Sequence, residues 1–164
     1  MALRLGLAYI RGMPYRDRER SCPACQQPLR AYQTRLCCDA CNGIMVTLDD
    51  LATAVNDLTS LTPDFEWARE HPGTRPCPEC SETMTSCKLI LRLDGHAEHP
   101  KPELDRCATH GLWFDHDELA AVFETIATKG FGGAVQHKSK SVERIADRGS
   151  WSAMFKYFGG RGGF

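Results

Sequence analysis

The sequence predicts a small α+β protein built from two like units, each a β-hairpin with paired cysteine turns followed by a short amphipathic helix. Three observations predict it: cysteines grouped in pairs at one fixed spacing, a block of sequence that recurs 55 residues later, and a helix start at the end of each block. At 164 residues the chain holds one compact domain or two small modules. Its 25% charged and 42% hydrophobic content is that of a folded protein. No apolar run reaches the roughly 18 residues that a membrane-spanning helix needs. The apolar stretch from Met1 to Ile10 is broken by Arg4 and precedes no small-residue cleavage site, so the expectation is a soluble, cytoplasmic protein.

The first unit reads Cys22-Pro23-Ala24-Cys25, twelve residues, then Cys38-Asp39-Ala40-Cys41-Asn42-Gly43-Ile44-Met45-Val46-Thr47. The second reads Cys77-Pro78-Glu79-Cys80, 26 residues, then Cys107-Ala108-Thr109-His110-Gly111-Leu112-Trp113-Phe114-Asp115. A C-x-x-C turn brings two sulfurs to one side of a tight loop, and two such turns complete a tetrahedron. Zn²⁺ takes Cys₄ and Cys₃His sets in closed structural sites. The expected ligands are therefore Cys22, Cys25, Cys38 and Cys41 for one ion, and Cys77, Cys80, Cys107 and His110 for a second, giving two Zn²⁺ per chain. Iron in the Cys₄ site is the alternative. Pro23 and Pro78 pre-set the backbone after the first cysteine of each turn. Gly43 and Gly111 follow the second turns, where a ligand-wrapping loop calls for positive φ. The intervening segments suit hairpins: Leu29 to Leu36 in the first unit, and Met84 to Leu93 returning through Glu103 to Arg106 in the second.

Helices are expected directly afterwards. Thr47 and Asp115 are N-cap residues, with Asp50 and Glu118 three positions on completing capping boxes, and Val46 and Phe114 are placed to staple onto Leu51 and Leu119. Leu51, Val55 and Leu58 mark the apolar face of the first helix; Leu119, Val122, Phe123 and Ile126 mark that of the second, which ends near Lys129-Gly130.

Both halves resemble the TFIIB-like zinc-ribbon domain, the transcription factor zinc-finger family, in C-P-x-C, a hairpin, and C-x-x-C-x-G-x-W-hydrophobic-D-x-x-E-L. The resemblance covers about residues 20–59 and 75–129. The second half matches through Trp113-Phe114-Asp115 and Glu118-Leu119, with His110 in place of the fourth cysteine. The first keeps four cysteines but has Met45 and Thr47 where the pattern has Trp and Asp. The resemblance implies two tandem zinc ribbons, metal-stabilised, and a zinc-binding module without implying a transcriptional role.

The organisation that follows is a basic N-terminal arm (1–20), ribbon 1 with its helix (21–60), a linker (61–76), ribbon 2 with its helix (77–129), and a basic Gly-rich tail (130–164). In the linker, Thr62 to Arg69 reads as a short helix capped by Thr62 with Pro63 at its first position, and His71 to Pro76 reads as a stiff connector. Phe65 and Trp67 are expected to pack between touching units.

Nine cysteines leave two unassigned. Cys37 reads as a spare thiol, because a Cys37-x-x-x-Cys41 frame breaks the match between units. Cys87 reads as a small apolar residue in a strand. A redox role for the C-x-x-C turns is the weaker reading, since zinc would occupy the sulfurs. His96, His99 and Asp94, with His116 and Asp117, offer an open catalytic metal site; a polar hairpin tip is the plainer explanation of Asp94-Gly95 and His99-Pro100.

Charge is uneven. Residues 21–128 carry eight Lys/Arg against 17 Asp/Glu, whereas residues 1–20 and 129–164 carry five and seven Lys/Arg against two acids each. An acidic body argues against nucleic-acid reading by the ribbons themselves and favours a basic protein partner. Nucleic acid is left to the basic termini, where Gly159 to Phe164 resembles RNA-associating Arg/Gly segments. In the tail, Trp151, Met154, Phe155 and Phe158 fall on one helical face. A helix that short must dock on its own core, on another chain or on a membrane surface, and the expectation is a protein partner or self-association through these four residues. Met1 to Tyr15 is a strand or an unstructured arm. The expected function is a non-catalytic protein-interaction adaptor, with nucleic-acid binding second and a metal-dependent enzyme using His96 and His99 third.

Overall fold

A computed structural model describes residues 20–128; the readings of the N-terminal arm, of Lys129-Gly130 and of Trp151, Met154, Phe155 and Phe158 lie outside the described residues. The architecture is α+β: one antiparallel sheet and two helices. In chain order the elements are β1 (Arg30–Tyr32), β2 (Arg35–Cys37), β3 (Ile44–Val46), α1 (Leu48–Thr59), β4 (Asp64–Pro76), β5 (Thr83–Leu93), β6 (His96–Glu98), β7 (Glu103–Cys107), β8 (Gly111–Phe114) and α2 (Glu118–Thr128). Among the described residues the sheet has eight strands in the order β1-β2-β3-β8-β7-β5-β4, with β6 paired to β5 beyond the end of β7.

Alternation along the strands gives the sheet two different faces. Ile44, Val46, Leu89, Leu91, Leu93, Leu104, Leu112 and Phe114 point to one side, where they meet Leu51, Ala54, Val55 and Leu58 of α1 and Leu119, Val122, Phe123 and Ile126 of α2. Met45, Leu36, Met84 and Trp113 point to the other side, among the paired cysteines. Both helices are thus held by the apolar stripes visible in the sequence, and the four staple residues Val46, Leu51, Phe114 and Leu119 all lie in the helix-side core.

Each capping box forms only one of its two halves. At α1 the Thr47 hydroxyl accepts from the Asp50 amide at 3.1 Å, but the Asp50 carboxylate is drawn away to Thr34 and Arg35. Ser60, left-handed at φ 62°, closes the helix by donating its amide to the Asn56 carbonyl. At α2 the Glu118 carboxylate accepts from the Asp115 amide at 2.8 Å, while the Asp115 carboxylate is engaged by Arg75 and Trp113. Burial raises the pKa of Glu118 and the Asp115 amide opposes that rise.

The segment expected as a short helix and connector is instead strand β4. Phe65 and Trp67 are two residues apart, which in a strand places both on the helix-side core, opposite Leu91 and Leu89. Glu66, on the other face, forms a two-pronged ion pair with Arg92 across the strand pair. The cap-and-proline signal at Thr62-Pro63 is local and weak, and long-range pairing with β5 outweighs it. His71 to Pro76 continues the same strand, with irregularities between Ala68 and His71 and between Pro72 and Pro76. Arg69 is left-handed at φ 53° in the first of these. Two prolines are accommodated because β4 is at the sheet edge, where a missing amide breaks no ladder bond.

The two halves of the chain meet where β3 pairs with β8, in the register Ile44↔Phe114, Met45↔Trp113 and Val46↔Leu112. This joint explains Gly43. Its φ is not left-handed; the positive φ belongs to Asn42, at 58°. A Cβ on Gly43 would lie 2.2 Å from Cζ2 of Trp113, so the indole needs the empty space. Gly111 does have positive φ, at 114°, and its Cβ would lie 2.2 Å from the Val46 carbonyl oxygen. Gly43→Ala is expected to destabilise the chain by about 1–3 kcal/mol through overpacking. Trp113→Phe, which removes the ring atoms it would strike, should make the two substitutions less costly together than the sum of each alone in urea denaturation; strict additivity would refute the contact.

Candidate metal centres

The expected ligands come together in two groups, Cys22, Cys25, Cys38, Cys41 and Cys77, Cys80, Cys107, His110, with all ligand atoms of each group within 4.8 Å of one another. The turns that present them share one backbone design. The first cysteine of each of three turns donates its amide five residues on: Cys22 to Gln27, Cys38 to Gly43, Cys77 to Glu82. Its carbonyl accepts from the residue four on: Gln26, Asn42, Ser81. Those last residues are left-handed, at φ 62°, 58° and 67°, and Gly111 stands in the corresponding place after His110. A left-handed residue after the second ligand turns the chain sharply back, which leaves both ligand side chains on the inside of the loop. Glycine marked this requirement at Gly111, and asparagine, a residue that tolerates the left-handed region, at Asn42; Gln26 and Ser81 carried no comparable sequence signal.

Distances test the fit to a metal. Sγ–Sγ separations are 3.5 Å for Cys22–Cys41, 3.4 Å for Cys25–Cys38 and 3.8 Å for Cys80–Cys107. His110 presents Nδ1 at 3.6 Å from Cys77 Sγ and 3.4 Å from Cys107 Sγ. A tetrahedron with Zn–S of about 2.3 Å and Zn–N of about 2.0–2.1 Å has edges of about 3.8 Å between sulfurs and about 3.6 Å between sulfur and nitrogen. None of the nine cysteines is disulfide-bonded. The donor chemistry and the spacing therefore both fit a tetrahedral, sulfur-preferring ion, and each set can hold one. Four protein ligands fill such a site, which makes each a closed centre.

The electrostatics of each set are divided in the same way. Burial raises Cys22 and Cys77, against the opposing pull of the amides at Cys25 and Ala24 and at Cys80 and Glu79; Cys77 is pushed up to about 12. Burial also raises Cys41. At Cys38 burial again opposes ionisation, but the Cys41 and Ala40 amides and the Cys25 thiol outweigh it and bring the thiol down to about 7. At Cys107 the Thr109 amide and the His110 side chain outweigh burial in the same manner, again to about 7. Each set thus pairs one thiol that ionises readily, Cys38 or Cys107, with a buried one that resists ionisation, Cys22 or Cys77.

The remaining sequence candidates fall elsewhere. Cys37 is buried among the helix-side apolar residues, one strand position from Leu36 and so on the opposite face from the ligands. Cys87 is fully buried in β5, where burial lifts its thiol to about 11. Both have the environment of inert core thiols. His96 lies in β6, paired with Leu93 across an Asp94-Gly95 turn whose φ values are 48° and 79°, a hairpin-turn geometry. His116 pairs with Asp117. Among the described residues, His96, His99, Asp94, His116 and Asp117 do not form a third group with metal-ligand spacing.

Sequence reasoning missed a polar network on the ligand side of the sheet. Arg75 donates to Asp115 at 2.7 Å and to Asp105 at 3.3 Å; Asp105 also accepts from Ser86, and Asp115 from the indole N–H of Trp113. The fully buried Trp113 thereby keeps its only polar atom satisfied. A second missed contact, Arg20 Nε to Glu79 Oε2 at 2.9 Å, ties the chain two positions before Cys22 to the middle of the third ligand turn.

Comparison with known proteins finds no matching family model, no matching characterised protein and no matching solved structure. No helix among the described residues is long and apolar enough to cross a membrane.

Two outcomes follow for metal content. Cys80→Ser should lose about half the metal bound by the native chain, whereas the double variant His96→Ala/His99→Ala should lose none, both read by elemental analysis. Because the thiols must shed protons to bind, metal uptake at about pH 7 should acidify a weakly buffered solution, and affinity should fall as pH is lowered.

Proposed function

We propose that the chain is a zinc-binding protein of two tandem zinc ribbons that serves as a non-catalytic protein-interaction adaptor. The reading is carried by the convergence of eight Cys/His side chains into two closed four-ligand sets. In this role Zn²⁺ is held by Cys22, Cys25, Cys38 and Cys41, and by Cys77, Cys80, Cys107 and His110. What it supplies there is folding free energy, on the order of 10–16 kcal/mol in comparable sites. Four protein donors leave no position for a reacting water, which is why the reading is structural rather than catalytic.

The tandem arrangement is supported by the register of the central joint. Gly43 to Thr47 and Gly111 to Asp115 are corresponding segments of the recurring sequence block, once the second unit is taken as one residue shorter between its last ligand and the glycine. In the β3–β8 pair, Met45 faces its own counterpart Trp113, and Ile44 and Val46 face the counterparts of each other. An antiparallel pair in that register has a local two-fold axis through its centre, as in a symmetric dimer of one unit. The family resemblance of both halves to TFIIB-like zinc ribbons belongs to the same proposal.

The adaptor role rests on charge. Seven bound thiolates and two Zn²⁺ would make the already acidic body more negative, from −9 to −12. Such a surface attracts basic protein and repels phosphate. Nucleic-acid binding through the basic termini is the second reading, favoured by the seven Lys/Arg against two acids in residues 129–164. The deciding measurement compares the full chain with a version ending at Gly130. Salt-sensitive capture of a basic protein by both versions is the expected result. A DNA or RNA affinity that falls steeply with salt and vanishes on truncation would replace the adaptor reading with the nucleic-acid one.

A further inference from the structure

The two ligand sets lie on one face of one sheet, and the residues between them belong to both halves. Cys22 and Cys38 of the first set and Cys77 and Cys107 of the second are buried in a single apolar cluster with Leu36, Met45, Met84 and Trp113. Met45 and Trp113 are directly opposite each other at the centre of the β3–β8 pair, 3% and 0% exposed. Nothing in this cluster can be divided between the halves without exposing an indole and a thioether to water.

The turns themselves are built on the opposite half. Gly43 closes the second turn of the first set, its carbonyl accepting from the Cys38 amide at 2.9 Å. It does so pressed against the Trp113 ring of the second half. Gly111 follows His110 directly, and its Cα is pressed against the Val46–Thr47 backbone of the first half. The support is reciprocal: each half forms the wall against which the other's last ligand turn is folded. Arg20 and Glu79 add an ion pair across the same divide.

We propose that the two metal sites are positively coupled through this joint, so that an ion bound in one half raises the affinity of the other and the chain loads as a unit. The inference rests on the reading of both clusters as metal sites. Its physical basis is ordering. An ion that folds one half presents a finished wall, and the second half then closes its turn with less conformational entropy left to lose. Linkage requires the effect to be mutual.

The test is a Zn²⁺ titration of the full chain against a chromophoric chelator. Co²⁺ spectra distinguish the S₄ set from the S₃N set. Cys25→Ser is expected to weaken the surviving Cys77/Cys80/Cys107/His110 site by about tenfold or more relative to its affinity in the native chain, and Cys80→Ser to weaken the first site by a comparable factor. Met45→Ala keeps all eight ligands and thins the shared cluster. In its background the same cysteine substitutions should cost the other site much less. Two ions bound, with native affinity retained at each surviving site, would overturn the coupling while leaving both sites intact as metal centres. A coupling undiminished by Met45→Ala would overturn the proposed route through the joint. A native chain that takes up no metal would overturn the site reading itself.

Discussion

The pairing of β3 with β8 is the constraint on which the remainder of the structure depends. It is three residue pairs long, yet it makes one sheet out of two hairpin systems and sets Met45 against Trp113 at their common centre. Everything on the helix side relies on that continuity, because α1 and α2 pack on strands drawn from both halves. Everything on the ligand side relies on it too, because the cysteines of both sets are buried around the same two side chains.

The sheet divides the work between its faces. The helix side is an ordinary apolar core of Leu, Ile, Val and Phe, and burial alone can hold it. The other side has few large apolar residues: Leu36, Met45, Met84 and Trp113 stand among buried thiols. The two groups of side chains that could each hold an ion lie on this side. The polar network of Arg75, Asp105, Asp115 and Ser86 completes it by satisfying the indole N–H and placing a cation between two carboxylates.

Several features of the ligand turns show how local and distant causes combine. Left-handed backbone at Gln26 and Ser81 falls on residue types that give no warning of it. Gly43, by contrast, looks like a turn glycine and is in fact a packing glycine, required by a tryptophan seventy positions away in sequence. The two half-formed capping boxes have the same origin. The carboxylates of Asp50 and Asp115 lie at the starts of their own helices, but Thr34 and Arg35 engage the first and Arg75 and Trp113 the second.

What the sequence determined by itself was whatever depends on residues near one another in the chain. The C-x-x-C spacing, the apolar stripes of both helices, the hairpins from Leu29 to Leu36 and from Met84 to Arg106, and the Asp94-Gly95 turn were all legible, because turn geometry and helical or strand periodicity are short-range. Tertiary structure decided the fate of Asp64 to Pro76, whose alternating Phe65 and Trp67 acquire meaning only once Leu89 and Leu91 lie opposite. It also decided the separation of Cys37 from Cys38 onto opposite faces, the engagement of Arg75 by two acids, and the central joint between the halves. Those outcomes turn on which strand lies beside which, and a pairing partner many residues away leaves no periodic trace in either segment.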